Sequence, residues 1–409
     1  MRYLRRISPR ELPSRSRDPV ARAAVSAARS ILDEVESKGE PAVRKYAERF
    51  GDIPKGAPLS AGRKELERAY AGLGKSERDL LSRVKKRIEA FARAQKNGLK
   101  EITAKVPGGK AGHFISPVAC AGCYAPGGRF PLPSSVLMTA VTARVAGVGT
   151  VWVASPRPAP VTLAAAFVAG ADGFLRIGGA QAVGALAFGT SFSPACDVIA
   201  GPGNKYVTAA KKLVSGRVLI DMLAGPSELA ILADGSADPR ILAADLLAQA
   251  EHDPDAVPVL VSTDARLIDA VDAELGVQLA ALSTAATAAL ALKNGFAVRV
   301  RDVDQGIAVC DALAPEHLEL CVRGAARVAK RCSNYGGLFI GQGSAEVLGD
   351  YGAGPNHTLP TGGTARYTGG LSVFDFLRVR TWLDIGDARA AAGVIKDAVK
   401  LAELEGLAG

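Results

Sequence analysis

The chain has 409 residues and a formal net charge of +9, with a mass of 42.2 kDa and an isoelectric point of about 9.3; that is enough for two or three domains with real cores. Hydrophobic residues at 48% and charged residues at 22% are ordinary globular proportions, which exclude a disordered chain, a collagen-like chain and a small disulfide scaffold. No apolar run reaches the roughly 18 residues of a membrane span, and the basic N-terminus MRYLRRISPRELPSRSRDPV lacks the apolar centre of a secretory signal.

Basic residues crowd the first quarter (Arg2, Arg5, Arg6, Arg10, Lys85, Lys86, Arg87 and Lys96) but alternate with acids, and only 5% of residues are aromatic. Single-strand binding wants aromatic platforms beside the charge, and no helix-turn-helix, finger or RNP signature is present. The charge reads as a solvated face, with no nucleic-acid partner expected. In the stretch from Pro19 to Phe50, Val20, Ala24, Ala27, Ile31 and Val35 recur at helical spacing, and from Ser76 to Lys96 so do Leu81, Val84, Ile88 and Phe91. The first quarter is therefore expected to be mainly helical.

From Pro117 the texture changes. Short apolar runs alternate with alanine-rich helical stretches: VWVA at 151–154, FLRI at 174–177, DVIA at 197–200, RVLI at 217–220, LAIL at 229–232, VLV at 259–261, LEL at 318–320 and LFI at 338–340. Runs apolar on both faces suit strands buried between helix layers, and their alternation with helices predicts parallel α/β sheets. Asp238 is placed to cap a helix that Pro239 opens. Neither G-x-G-x-x-G nor G-x-x-x-x-G-K-[ST] occurs, so any dinucleotide site is atypical.

Six cysteines (Cys120, Cys123, Cys196, Cys310, Cys321 and Cys332) suit a reduced cytoplasm, the expected location. Cys120 and Cys123 lie in a predicted strand, with Cα atoms roughly 10 Å apart at ~3.3 Å per residue. A disulfide needs less than about 7 Å, so they are expected to be buried hydrophobes on opposite faces.

Four segments carry chemistry-bearing side chains. Gln249 and His252 share the face of a helix end, with Asp245 one turn earlier, and can offer an amide oxygen and an imidazole to a cation. Glu316 and His317 adjoin; on extended backbone they diverge, so they are expected to hold separate roles rather than form a dyad. The glycine-rich loop Gly349–His357 carries Asp350 and His357. Turns at Gly178-Gly179-Ala180-Gln181 and Gly201-Pro202-Gly203-Asn204 follow predicted strands, where ligands settle and glycine admits phosphate.

Seven ordered blocks (YAPGGRFPLPSSVLMTA, IGGAQAVGALAFGT, DVIAGPGNKYV, IDMLAGPSELAILAD, DLLAQAEHD, APEHLEL and GDYGAGPNHTLPTGGTARY) make the chain resemble the histidinol dehydrogenases. The resemblance implies an α/β enzyme of two interleaved, incomplete Rossmann-like parallel-sheet domains with small helical elements for dimerisation and a tail. Its boundaries would be 124–226 for NAD, 21–123 with 227–371 for zinc and substrate, and 1–20 with 372–409 for the dimerisation and tail elements. It implies NAD and one zinc ion per subunit as cofactors, L-histidinol as substrate and oxidation to L-histidine in two NAD-linked steps through an enzyme-held aldehyde. Gln249, His252 and Asp350 would be zinc ligands, His317 the general base and Glu316 the residue activating water. Ser227, His317, His357 and Glu405, together with the three zinc ligands, would contact substrate, while Tyr124, Gln181 and Asn204 would line the NAD site. The family's further zinc ligand is a tail histidine that reaches the partner subunit of a homodimer; the chain stops one residue short of its place after Glu405. Weaker zinc binding and reduced activity are the expectation from that. Oxidation of another alcohol, such as a sulfonated diol, and an inactive variant are the alternatives.

Overall fold

The structure, a computed structural model, describes residues 2–13, 20, 22–127 and 131–407; Pro19 of the expected first helix, Gly128 of the turn after Tyr124, and the last two residues fall outside that set. Each apolar run named from the sequence overlaps a strand. The first sheet runs, in spatial order, Ser60–Gly62, Gly173–Leu175, Thr150–Ala154, Cys120–Tyr124, Val198–Ala200 and Leu219–Ile220. Its strands are parallel apart from the antiparallel edge at Ser60–Gly62. The second sheet runs Arg5–Ile7, Phe296–Arg299, Val257–Ser262, Glu228–Ala233, His317–Cys321 and Gly337–Ile340, parallel throughout.

Helices cover both faces of the first sheet. Cys120 belongs to the core on one side and Cys123 to the core on the other, as the pleat of a strand requires. Cys120 meets Cys196 instead, Sγ to Sγ at 3.4 Å. Asp238 accepts the Arg240 N–H and caps Pro239–Ala250 with Pro239 in its first turn.

The pairing redistributes the N-terminal segments relative to the boundaries drawn from the sequence. Residues 21–123 were expected with 227–371. Yet Arg22–Lys38 packs on Gly179–Phe188 and Lys205–Val214, Arg63–Ala71 on Pro160–Ala169, and Lys75–Asn97 on Pro133–Ala146, all about the first sheet. The reason is apolar fit: Leu32 and Val35 press where Gly184 has no side chain, and a Cβ there would lie 3.0 Å from Val35 Cγ1 and 3.2 Å from Leu32 Cδ2. Arg5–Ile7, expected in a terminal element, instead pairs with Phe296–Arg299 as a sheet edge, tied there by Asp272, whose Oδ1 accepts the N–H groups of Tyr3 and Leu4 at 3.0 Å. Two details of the helical faces differ as well. Ala27 lies beside a cleft and its neighbour Ala28 is buried, while Phe91 is partly exposed and Ala92 is buried. The terminal elements are not purely helical: Leu377–Ile385 pairs antiparallel with Gly109–Pro117, which pairs in turn with Ile102–Val106; the helix Ala392–Leu404 follows.

Chain order places the crossover point of the first sheet between Cys120–Tyr124 and Val198–Ala200, and that of the second between Glu228–Ala233 and His317–Cys321. The carboxyl ends of the first pair face the amino ends of the second: one cleft is lined by Pro126, Pro202 and Gly203 from the former and by Ser227, Glu316 and His317 from the latter. Gly184→Val should overpack the contact with Leu32 and Val35 and cost about 1–3 kcal/mol, read as a lower denaturant midpoint at unchanged slope.

Candidate active site

His317 opens its strand in register with Leu229 of the neighbouring strand and is 3% exposed. Three acceptors surround its Nδ1: the Glu228 carbonyl at 2.9 Å, Gln249 Oε1 at 2.9 Å and Glu346 Oε2 at 3.0 Å. A ring nitrogen so surrounded keeps its proton, which leaves Nε2 to face the cleft. Burial alone would push the His317 pKa down, but the carboxylates of Glu346, Glu316 and Asp350 overcome it and hold it up at about 10. Burial together with the charges of His317 and His252 drives the pKa of His357 well below the ordinary histidine value. The two rings stack 4.7 Å apart with Nε2 atoms 2.9 Å from each other, so His317 Nε2–H donates and neutral His357 Nε2 accepts.

Glu316 does not share a dyad with that Nε2. Its Oε2 accepts Ser227 Oγ–H at 2.6 Å and Glu228 N–H at 2.9 Å, and lies 3.8 Å from His317 Nδ1. Burial pushes its pKa up to about 7, against the opposing pull of His317 and these two donors. A carboxyl poised there exchanges its proton near neutrality.

The sequence named Gln249, His252 and Asp350 as metal ligands. The structure brings His252 Nε2 to 3.5 Å from Asp350 Oδ2, with His357 Nε2 at 3.4 Å from Asp350 Oδ1. Gln249, fully buried one turn before His252, turns its Oε1 to His317 and leaves its Nε2 without a partner. The third group of the cluster is Glu346, which no sequence signal marked: ligand atoms of His252, Glu346 and Asp350 all lie within 4.8 Å of one another. Glu346 is 1% exposed, its N–H held by Glu319 Oε1 at 2.9 Å and its Oε1 unpartnered. Beneath it, burial and the charge of Glu346 raise the carboxyl of Asp245, and burial with the charges of Asp245 and Glu346 raises that of Glu319. An imidazole and two carboxylates, that of Glu346 with an unsatisfied buried oxygen, set among further acids, form a hard nitrogen–oxygen donor set with surplus negative charge; that suits a divalent cation such as zinc.

A second cleft of about 540 Å³ meets the first, of about 230 Å³, at Pro126. Tyr124, Gln181 and Asn204 line it as expected, beside Asp52, which the sequence reading missed. Asp52 Oδ2 accepts the N–H of Gly178 at 3.0 Å and Gln181 Nε2–H at 2.9 Å, and Gln181 Oε1 is left without a partner, free for a ligand donor. Tyr124 OH accepts Gly179 N–H at 3.2 Å, and burial raises its pKa to about 12, so it stays a neutral phenol. Asn204 Oδ1 caps Lys205–Val214 through the N–H groups of Tyr206 and Val207. Size, an aromatic wall, an orphaned amide oxygen and a place at the carboxyl ends of a parallel sheet suit a dinucleotide. Glu405 lies exposed past the end of Ala392–Leu404 and lines neither cleft.

A buried imidazole braced by carboxylates, beside a cation-type cluster and a second cleft, makes this an α/β enzyme. The sequence profile of the histidinol dehydrogenase family matches residues 14–409. A histidinol dehydrogenase from Thermus thermophilus is 46% identical over 383 residues, covering 93% of this chain and 91% of the relative. One from Parasynechococcus marenigrum is 43% identical over 412 residues, covering 99% and 92%. The crystal structure of the Elizabethkingia anophelis histidinol dehydrogenase superposes with a TM-score of 0.92 at 29% identity, covering 100% of this chain and 96% of that one. The chain belongs to the histidinol dehydrogenase family, and it is an oxidoreductase.

Because Glu316 is ionised above about pH 7 and protonated below it, any step that uses it as a base weakens as pH falls through 7. The rate of that step should show an acid limb near neutrality, and Glu316→Gln should abolish the limb along with most of the rate; a pH–rate profile checks it.

Proposed function

We propose that this chain oxidises L-histidinol to L-histidine in two NAD-dependent steps, with histidinaldehyde held on the enzyme between them. The observation that carries the reading is His317 Nε2, braced from behind through Nδ1 and facing a small polar cleft that opens onto a larger one. When bound, NAD would supply the hydride acceptor, and zinc the positive charge that offsets the surrounding carboxylates and grips the substrate's amine and imidazole. His252 and Asp350, with Glu346 and Gln249 close by, are the residues to hold that ion.

With the carboxylate surplus offset, His317 Nε2 accepts the hydroxyl proton as hydride leaves the carbinol carbon. Glu316 then takes a proton from the water that adds to the aldehyde while His317 returns its proton to the carbonyl oxygen, and the freed His317 deprotonates the resulting hydrate for the second oxidation. One base serves twice, which its rigid bracing favours. Ser227, held by Glu316, and His357, stacked on His317, orient the substrate.

The working form in this reading is a homodimer that exchanges tails, in the cytoplasm. The helix Ala392–Leu404 has no buried residue, and Val394, Ile395, Val399 and Leu401 are exposed on it; Phe114, Val379 and Leu383 are exposed on the adjoining sheet. So much apolar surface on one terminal element is best accounted for by a second copy of the chain. The exchange would carry Glu405 into the neighbouring site, which accounts for its distance from its own.

Four outcomes test the reading. L-Histidinol should yield two NADH per molecule, and other amino alcohols far less; one NADH per molecule, or none, defeats it. His317→Asn should slow both oxidations by about 10²–10⁴-fold with NAD affinity retained. Removing metal with a chelator should abolish turnover, zinc should restore it, and His252→Ala should lose zinc by elemental analysis. Truncation before Ala392 should convert a dimer to a monomer in sedimentation.

A further inference from the structure

Lys211 and Asp221 form an ion pair with side chains 3% and 0% exposed. Buried lysine is uncommon and costly, and this pair lies outside both clefts. Its polar contacts converge on one peptide unit. Lys211 Nζ donates to the Gly201 carbonyl at 2.9 Å, and Asp221 Oδ2 accepts the Gly201 N–H at 2.7 Å, so the pair grips Gly201 by both of its backbone groups. Asp221 Oδ1 also accepts the N–H of Met222 at 2.7 Å. Gly201 has φ +119°, and a Cβ on it would lie 1.9 Å from the Tyr124 carbonyl oxygen; the loop is thus pressed onto the strand that ends in Tyr124.

That loop is the partition between the clefts. Pro202 and Gly203 face the substrate side and Asn204 the other. From Asp221 the chain runs on to Ser227, fastened on the way by Thr208 Oγ1–H to the Ala224 carbonyl at 2.6 Å and by Gly225 N–H to Thr361 Oγ1. Replacing a buried ion pair with apolar side chains of similar volume is often neutral or favourable, but this pair also satisfies backbone groups of Gly201 and Met222. An apolar pair would still anchor the helix Lys205–Val214, but it could not hold a peptide by N–H and C=O together.

We propose that Lys211 and Asp221 are positioning residues: they set the Gly201–Asn204 partition so that the dinucleotide and the substrate meet at reacting distance. This rests on the reading of the second cleft as the NAD site. The test is the double variant K211M/D221L in the full-length, zinc-loaded enzyme, with NAD affinity measured by calorimetry without substrate, kcat and KM determined separately, and the melting temperature recorded. The expected result in the folded protein is NAD binding weakened by about tenfold or more and kcat lowered by up to about 10²-fold, the effect of roughly 1 Å of misplacement, with some loss of melting temperature because backbone groups of Gly201 and Met222 lose their buried partners. A purely structural pair would lower the melting temperature but leave NAD affinity and kcat of the folded protein unchanged; that result overturns the proposal. Should the double variant fail to fold, the isosteric Asp221→Asn carries the same test: weakened NAD binding in its folded fraction supports the proposal and parental affinity overturns it. Failure of the parent protein to bind NAD at all would defeat the reading of the cleft instead, and with it this inference.

Discussion

One ring nitrogen organises the site. Three acceptors from three separate elements close on His317 Nδ1: a carbonyl from the adjacent strand, an amide from the end of Pro239–Ala250, and a carboxylate from the loop before Asp350. Each would be an expensive buried polar group without that hydrogen. Together they fix the ring's tautomer and its aim, which a single hydrogen bond to a mobile side chain could not do. The bracing is preorganised, so a proton arriving at or leaving Nε2 requires little movement of the protein.

The same arrangement explains why the site needs positive charge. Glu316, Glu319, Glu346, Asp245 and Asp350 crowd around one imidazole pair, and the site is driven to hold protons: the charges of Glu346, Glu316 and Asp350 raise the His317 pKa to about 10, and burial raises that of Glu316 to about 7. A cation shared by His252, Asp350 and Glu346 would displace that demand. Proton-holding and cation-holding are thus two answers to one electrostatic surplus.

Much of this was legible in the sequence, and the boundary follows physical lines. Buried parallel strands announce themselves because both faces are apolar, as in LAIL and VWVA, and the cap at Asp238 is local chemistry. His252, His317, His357 and Asp350 stood out as histidines and acids in short polar segments, and they converge. Glu346 and Glu319 did not stand out, while Asp245 did, one turn before Gln249 and His252: an acid is buried by what folds over it, and Glu319 sits inside a run, LEL, that reads as apolar. Asp52 was hidden for the same reason, its partners Gly178 and Gln181 lying far along the chain. The antiparallel sheet of Leu377–Ile385, Gly109–Pro117 and Ile102–Val106 was missed because most of its residues are exposed or half-buried, so no buried face imposed a clear alternation. The N-terminal helices were placed with the wrong sheet because periodicity shows that a face is buried and not what buries it. The resemblance supplied the order of the blocks, while distances alone showed Gln249 Oε1 against His317 and Glu346 beside His252 and Asp350.

Four histidines in the whole chain make the central claim open to direct spectroscopy. Nitrogen-15 resonances of the imidazoles in histidine-labelled, metal-free protein report the proton on each ring atom. His317 should carry protons on both nitrogens at neutral pH and keep the one on Nδ1 well into the alkaline range, while His357 stays neutral. A His317 that titrates near the ordinary histidine value, or that loses its Nδ1 proton first, would contradict the account.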